Sequence, residues 1–166
     1  MNDPGSIGIN DPSSTGMSGS DGSGSPRGEP LLRKVDAVTV RVPDLESGLA
    51  FYRDKLGHHL LWRNDEIGQA GLALADADTE IVLATELDYA PSWLVEDADD
   101  AAQVFVEAGG GIVTEPFDIP VGRCVVVADA FGNNLVLLDL SKGLYATDDN
   151  GSVTGVEQPG SENPAE

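Results

Sequence analysis

Asp36-Ala37-Val38-Thr39-Val40-Arg41-Val42-Pro43-Asp44 and Tyr89-Ala90-Pro91-Ser92-Trp93-Leu94-Val95-Glu96-Asp97 open two stretches, 36–87 and 89–140, that superimpose without a gap at an offset of 53. Ala37 meets Ala90, Val42 meets Val95, Asp44 meets Asp97, Gly57 meets Gly110 and Asp65 meets Asp118. Further on, Ala75-Asp76-Ala77 meets Ala128-Asp129-Ala130 and Leu87 meets Leu140. These coincidences fall on strand ends, helix starts and helix stops, so the chain reads as a duplicated module, and a repeat constrains every later assignment.

Each module spells a strand, a helix and three more strands. Val38, Val40 and Val42 alternate with Ala37, Thr39 and Arg41, the period of a strand with one apolar face. Pro43-Asp44 stops that strand, and Asp44 is placed to cap a helix carrying Leu45, Leu49, Tyr52 and Leu56 at helical spacing up to Gly57. In the second copy Asp97 is the cap, Asp99 and Asp100 favour the first turn, Ala98, Ala101, Phe105 and Ala108 share a face, and Gly109-Gly110-Gly111 is the stop. Strands are expected at 58–63, 71–75 and 80–87, and again at 111–115, 123–128 and 134–140. The loop Asp129-Ala130-Phe131-Gly132-Asn133 has the composition of a hairpin turn.

Outside the repeat, residues 1–30 are rich in Gly, Ser, Asp and Pro and hold too few large apolar side chains to offset the entropy of ordering. They are expected to be a disordered tail, with Met17 an alternative start, and residues 144–166 to be a second, acidic tail. One folded domain over 31–143, with modules 34–87 and 88–141, is the expected organisation. No apolar run reaches membrane-spanning length, and Met1 to Pro30 lacks a signal-peptide core, so the cytoplasm is the expected location. Cys124, the single cysteine, sits beside Val125-Val126-Val127 and reads as a small core residue.

Twenty-nine acidic against nine basic residues give a net charge of −20, which excludes nucleic acid and anionic membranes as partners. Two readings of that charge stand side by side: adaptation to a salt-rich cytoplasm, where screening relieves self-repulsion, or an ordinary acidic protein.

The tandem βαβββ pattern, with Val40-Arg41-Val42-Pro43-Asp44-Leu45-Glu46-Ser47 before a helix ending Phe51-Tyr52-Arg53-Asp54-Lys55-Leu56-Gly57, resembles the vicinal oxygen chelate superfamily. That is the glyoxalase, bleomycin-resistance and extradiol-dioxygenase group. Val95-Glu96-Asp97, Ala108-Gly109-Gly110, Glu115-Pro116-Phe117 and Asp129-Ala130-Phe131-Gly132-Asn133 carry the likeness into the second half. The resemblance implies an α+β fold whose two modules form a curved mixed sheet around a cleft, a homodimer, and, in metal-binding members, a His on the first strand and a Glu on the last strand of a module. Carried over, the His positions are Ala37 and Ala90 and the Glu positions Leu83 and Val136, which offer no metal donors, so neither metal nor cofactor is expected.

By strand parity the cleft face takes Ala37, Thr39 and Arg41; Ile81, Leu83 and Thr85; Ala90, Ser92 and Leu94; and Asn134, Val136 and Leu138. The ligand-binding residues expected from this set are Thr39, Arg41, Leu83, Thr85, Ser92, Asn134 and Val136, with Thr39 and Ser92 equivalent in the two copies. Arg41 is read either as a partner for an anionic or carbonyl group of a ligand or as half of an ion pair with a nearby acid. The neighbours His58 and His59 point to opposite sides of a strand, one available as an acid or base or both serving packing and surface. Trp62 and Trp93 read as core. The function expected is the binding of a small, largely apolar molecule without metal; a diverged lyase, isomerase or dioxygenase, or a dimeric interaction module, are the alternatives.

Overall fold

The computed structural model describes residues 29–158; of the expected tails 1–30 and 144–166, the parts 1–28 and 159–166 lie outside the described residues. The first module holds β1 (Lys34–Arg41), α1 (Leu45–Leu49) running on as a π-helical turn over Ala50–Lys55, β2 (Leu60–Asn64), β3 (Gln69–Ala73) and β4 (Glu80–Ala84). The second holds β5 (Ala90–Leu94), α2 (Ala98–Glu107), β6 (Gly111–Ile119), β7 (Gly122–Ala128) and β8 (Asn134–Leu138). Eight strands make one curved mixed sheet in the order β2-β3-β4-β1-β5-β8-β7-β6. In each module the first and last strands pair in parallel, and β1 pairs antiparallel with β5 at the junction.

Both helices lie on one face of this sheet. Asp44 and Asp97, in extended backbone, accept from the amides of Ser47 and Asp100 and start the two helices as the sequence leads one to expect. Val42, Leu45, Leu49, Ala70, Leu72 and Leu83 form the core under α1; Val95, Ala98, Ala101, Ala102, Val125, Val127 and Leu137 form the one under α2. Trp93 packs against the second of these, as expected. Asp139, 2% exposed, ties this half together: one oxygen accepts from Ala98 N at 2.9 Å, the other from Arg123 N at 3.0 Å and Ser141 N at 3.1 Å.

Two sequence expectations change. The π winding, with Leu56 N bonding to Phe51 O, rotates Leu56 off the apolar stripe and leaves it 53% exposed. The stretch from Leu144 is not a tail as far as it is described: β9 (Leu144–Thr147) and β10 (Val153–Glu157) form a hairpin that folds back onto the helix-free face. Composition hid it because few of its residues are apolar, and the two that anchor it, Tyr145 and Val153, find their partners at Ala37, Trp62 and Val82, far away in sequence.

The gapless offset of 53 also fails beyond the helices. Thr39 pairs with Val82 and the equivalent Ser92 with Val136, so the last strands are offset by 54. A one-residue slip moves a whole strand's side chains to the other face.

Candidate functional site

The helix-free, concave face has its centre at the β1–β5 junction, where Ala37 lies opposite Ser92 and Thr39 opposite Ala90. Thr39 and Ser92 are each 8% exposed, and diagonal neighbours across an antiparallel pair are within reach of one another. Val82 flanks this floor of small side chains on one side and Val136 on the other. From there the second module continues the face with Leu94, Leu138, Val126 and Cys124, and Asn134 stands exposed at its rim. Burial pushes the Cys124 thiol up to about 11, so it stays protonated and inert at neutral pH.

Thr39, Ser92, Asn134 and Val136 therefore share one face, as the strand parity requires. Leu83, Ile81 and Thr85 do not join them. Leu83 is fully buried on the helix side, with Gly48 pressed against it, because the fourth strand is shifted by one residue relative to the repeat alignment. Ile81 packs there as well, and Thr85 lies past the end of β4, its hydroxyl turned to Gly68 O at 3.4 Å. The residues that β4 does present to the concave face are Glu80, Val82 and Ala84. The register of β4 against β1, invisible in a gapless alignment, is the signal that finds them.

Arg41 sits at the edge of this face, exposed, with Nη1 2.6 Å from Asp88 Oδ1, so the ion-pair reading describes its geometry. Of the two histidines, which precede β2, His58 has Nδ1 2.9 Å from Ala73 O and His59 is exposed. Trp62 is buried, but on the concave side rather than under α1. Its indole N–H donates to Glu80 Oε2 at 2.7 Å, and its ring lies over Gly71, where any β-carbon would collide with the indole nitrogen. Tyr145 from β9 covers it, ring centroids 4.7 Å apart at 44°.

Electrostatics single out the carboxylates here. Glu80 is held above its ordinary pKa by burial, against the indole bond, and the neighbouring Asp36 pushes it the same way. Burial likewise raises Asp36, with Lys34 opposing. At the strand positions where the resemblance implies metal ligands stand Ala37, Val82, Ala90 and Val136, once Val82 replaces Leu83 on structural register. Four side chains without a donor atom do not fit a divalent metal. Among the described residues there is no cluster of three or more His, Cys, Asp or Glu side chains placed to hold an ion.

Two open grooves border the sheet. One, of about 490 Å³, runs between the β2–β3 turn at Asn64–Ile67, the hairpin and Pro120. The other, of about 650 Å³, is lined by Glu29, Arg33, Glu96, Asp97 and Asp100 beside the start of α2. Among the described residues no helix is long and apolar enough to cross a membrane.

Comparison with known proteins agrees with this geometry. Residues 34–137 match the family model of the Glyoxalase/Bleomycin resistance protein/Dioxygenase superfamily. Similar solved structures include methylmalonyl-CoA epimerase from Mycobacterium tuberculosis, 24% identical over 66% of this chain and 89% of that one, with a TM-score of 0.55. A hypothetical protein from Bacillus halodurans is 18% identical over 69% and 98%, with a TM-score of 0.52. A Streptomyces coelicolor methylmalonyl-CoA epimerase variant in complex with 2-nitronate-propionyl-CoA is 18% identical over 65% and 97%, also with a TM-score of 0.52. At these identities the likeness establishes the fold. Among curated proteins, none matches the chain.

Proposed function

The chain belongs to the glyoxalase/bleomycin resistance protein/dioxygenase superfamily, and from that premise we propose that it binds a small, largely apolar molecule on the concave face of its sheet, without a metal. The observation that carries this reading is the floor itself: Ala37, Thr39, Ala90 and Ser92 at the junction, with Val82 and Val136 beside them. Apolar walls exclude water from a ligand while two hydroxyls fix its orientation, the usual make-up of a small-molecule site. Thr39, Ser92, Asn134 and Val136 contact the ligand; Arg41, released from Asp88, guides a carbonyl or carboxylate at the rim. The protein works in the cytoplasm as a homodimer whose partner copy screens the apolar surface of the second module.

Native mass spectrometry of protein purified from its own host tests this directly: a retained organic ligand of one mass per subunit is the expected result. Val136→Asp, which sets a charge on the floor without touching either helix core, is expected to abolish retention while the fold persists. A protein that carries no ligand, and whose Ser92 and Val136 amide signals ignore a library of apolar compounds, would sink the reading.

One observation favours an enzyme instead. Glu80 is a half-buried carboxylate on the concave side, bonded to the Trp62 indole, with its pKa raised by burial, which makes it a stronger base than a free carboxylate. A lyase or isomerase of this fold would use it as the base. Proton exchange from solvent D₂O into a bound ligand, lost in Glu80→Gln, is the result that would put this reading first.

A further inference from the structure

A hairpin of this length does not hold itself together in water. The turn of the β9–β10 hairpin is well made, with Asp148 Oδ1 accepting from Asn150 N at 2.8 Å and Ser152 N at 3.0 Å, and Gly151 at φ 81°. Most of its strand residues are nonetheless exposed or half-exposed. The side chains it commits to the sheet are Tyr145 and Val153, which lie against Ala37, Trp62 and Val82. Its backbone hold on the sheet is a single bridge, Ser152 beside Arg63, with Arg63 N donating to Gly151 O at 2.8 Å. It begins immediately after Gly143, at φ 127°, and lies outside the stretch 34–137 that carries the family pattern.

The residues under the hairpin also have partners within the first module. Trp62 is fixed by its bond to Glu80 and by the absence of a side chain at Gly71, both within the first module. Ala37 and Val82 are held by the β1–β4 ladder. With the hairpin lifted, what remains is a slot with an indole wall and an aliphatic floor. Asn64 stands at its far end, within hydrogen-bond reach of the Tyr145 hydroxyl, and Glu80 lies alongside.

We propose that this slot is a subsite for a phenolic ring, that Tyr145 is its tethered stand-in, and that ligand entry displaces the hairpin. The inference rests on the concave face being a binding surface and adds to it the ligand's chemical class and a gate. Each feature that accommodates Tyr145 is one a free phenol needs: an aromatic face to pack on, an apolar bed, and a side-chain amide for the hydroxyl. An intramolecular occupant lowers apparent affinity by the fraction of molecules in which the slot is open. The hairpin, with few buried contacts and many exposed backbone groups, belongs to the part of the structure that opens first.

The test uses the full chain with p-cresol, the tyrosine side chain as a free molecule, in a Trp93→Phe background so that Trp62 alone reports by fluorescence. Binding to the protein with Tyr145 intact is expected to change Trp62 emission and to speed amide exchange in β9 and β10, while exchange in β4 is unaltered. Tyr145→Ala is expected to bind roughly tenfold tighter, because the competitor is gone; Tyr145→Leu serves if the alanine variant does not fold. If p-cresol binds only the truncated variants and leaves hairpin exchange in the parent unchanged, the slot is a packing hole and the proposal fails. If p-cresol instead perturbs Ser92 and Val136 with the hairpin in place, ligand binding on the concave face stands and the gate alone is overturned.

Discussion

Two carboxylates show how the same functional group is used in opposite senses. Burial alone would raise Asp139, but the Ser141 side chain and three backbone N–H groups outweigh it, and its pKa falls below the ordinary value of 3.8. Its contribution is therefore present above that value and lost as pH falls through the folded-state pKa. Asp139→Ala strands the amides of Ala98, Arg123 and Ser141, and a loss of about 2–4 kcal/mol in denaturant unfolding is expected; a loss near zero would mean water replaces the carboxylate. Glu80 is the reverse. Burial raises its folded pKa above 4.5, so the favourable neutral form is fully present below that value and its benefit disappears as pH rises through the folded pKa. Glu80→Gln keeps an oxygen for the Trp62 indole and removes the buried charge, so a gain of roughly 0.5–2 kcal/mol at pH 7 is expected, with no gain at pH 4. A destabilised glutamine variant at pH 7 would show instead that the charge is needed there, through Lys34.

Helix starts were legible because capping is local: Asp44 and Asp97 sit three residues before the amides they satisfy. Strand faces were legible within a strand and lost between strands. Val38 and Thr39 alternate correctly, yet the face taken by Leu83 depends on how β4 docks beside β1, and no local residue reports that. The hairpin depends in the same way on Trp62 and Gly71. Gly71→Ala should force the indole out of its slot, shifting Trp62 emission to the red in a Trp93→Phe background and costing roughly 1–3 kcal/mol. Ending the chain at Gly143 should leave both helix cores intact and still cost roughly 2 kcal/mol, since Tyr145 and Val153 no longer cover Ala37, Trp62 and Val82. Unchanged melting of the shortened chain would restore the reading of this segment as a dispensable tail.

At the scale of the molecule, net charge acts in a way that no single contact expresses. The chain carries −20, and its ion pairs, such as Arg123–Asp99 at 2.7 Å and Arg63–Glu46 at 2.8 Å, are largely at the surface, where each contributes little. Self-repulsion among the excess acids opposes compaction, and raising salt from 0.1 M to 1 M shortens its range from about 10 Å to about 3 Å. Thermal unfolding should move to higher temperature over that range, more so with potassium chloride than the loss of the ion pairs can offset. A melting temperature that falls with salt would place the ion pairs, not the repulsion, in control.

The sequence by itself determined the duplication, the two capped helices and the order of strands within each module, because these follow from periodicities and caps read over a few residues. Within single strands it also put Thr39 on the side of Ala37, Ser92 on that of Ala90 and Val136 on that of Asn134, since alternation along a strand is a backbone property. The tertiary structure alone decided which side Leu83 and Val82 take, that Arg41 meets Asp88, and that a polar C-terminal segment returns to cover Trp62. Register and docking are set by contacts between residues tens of positions apart, whose energies no local pattern encodes.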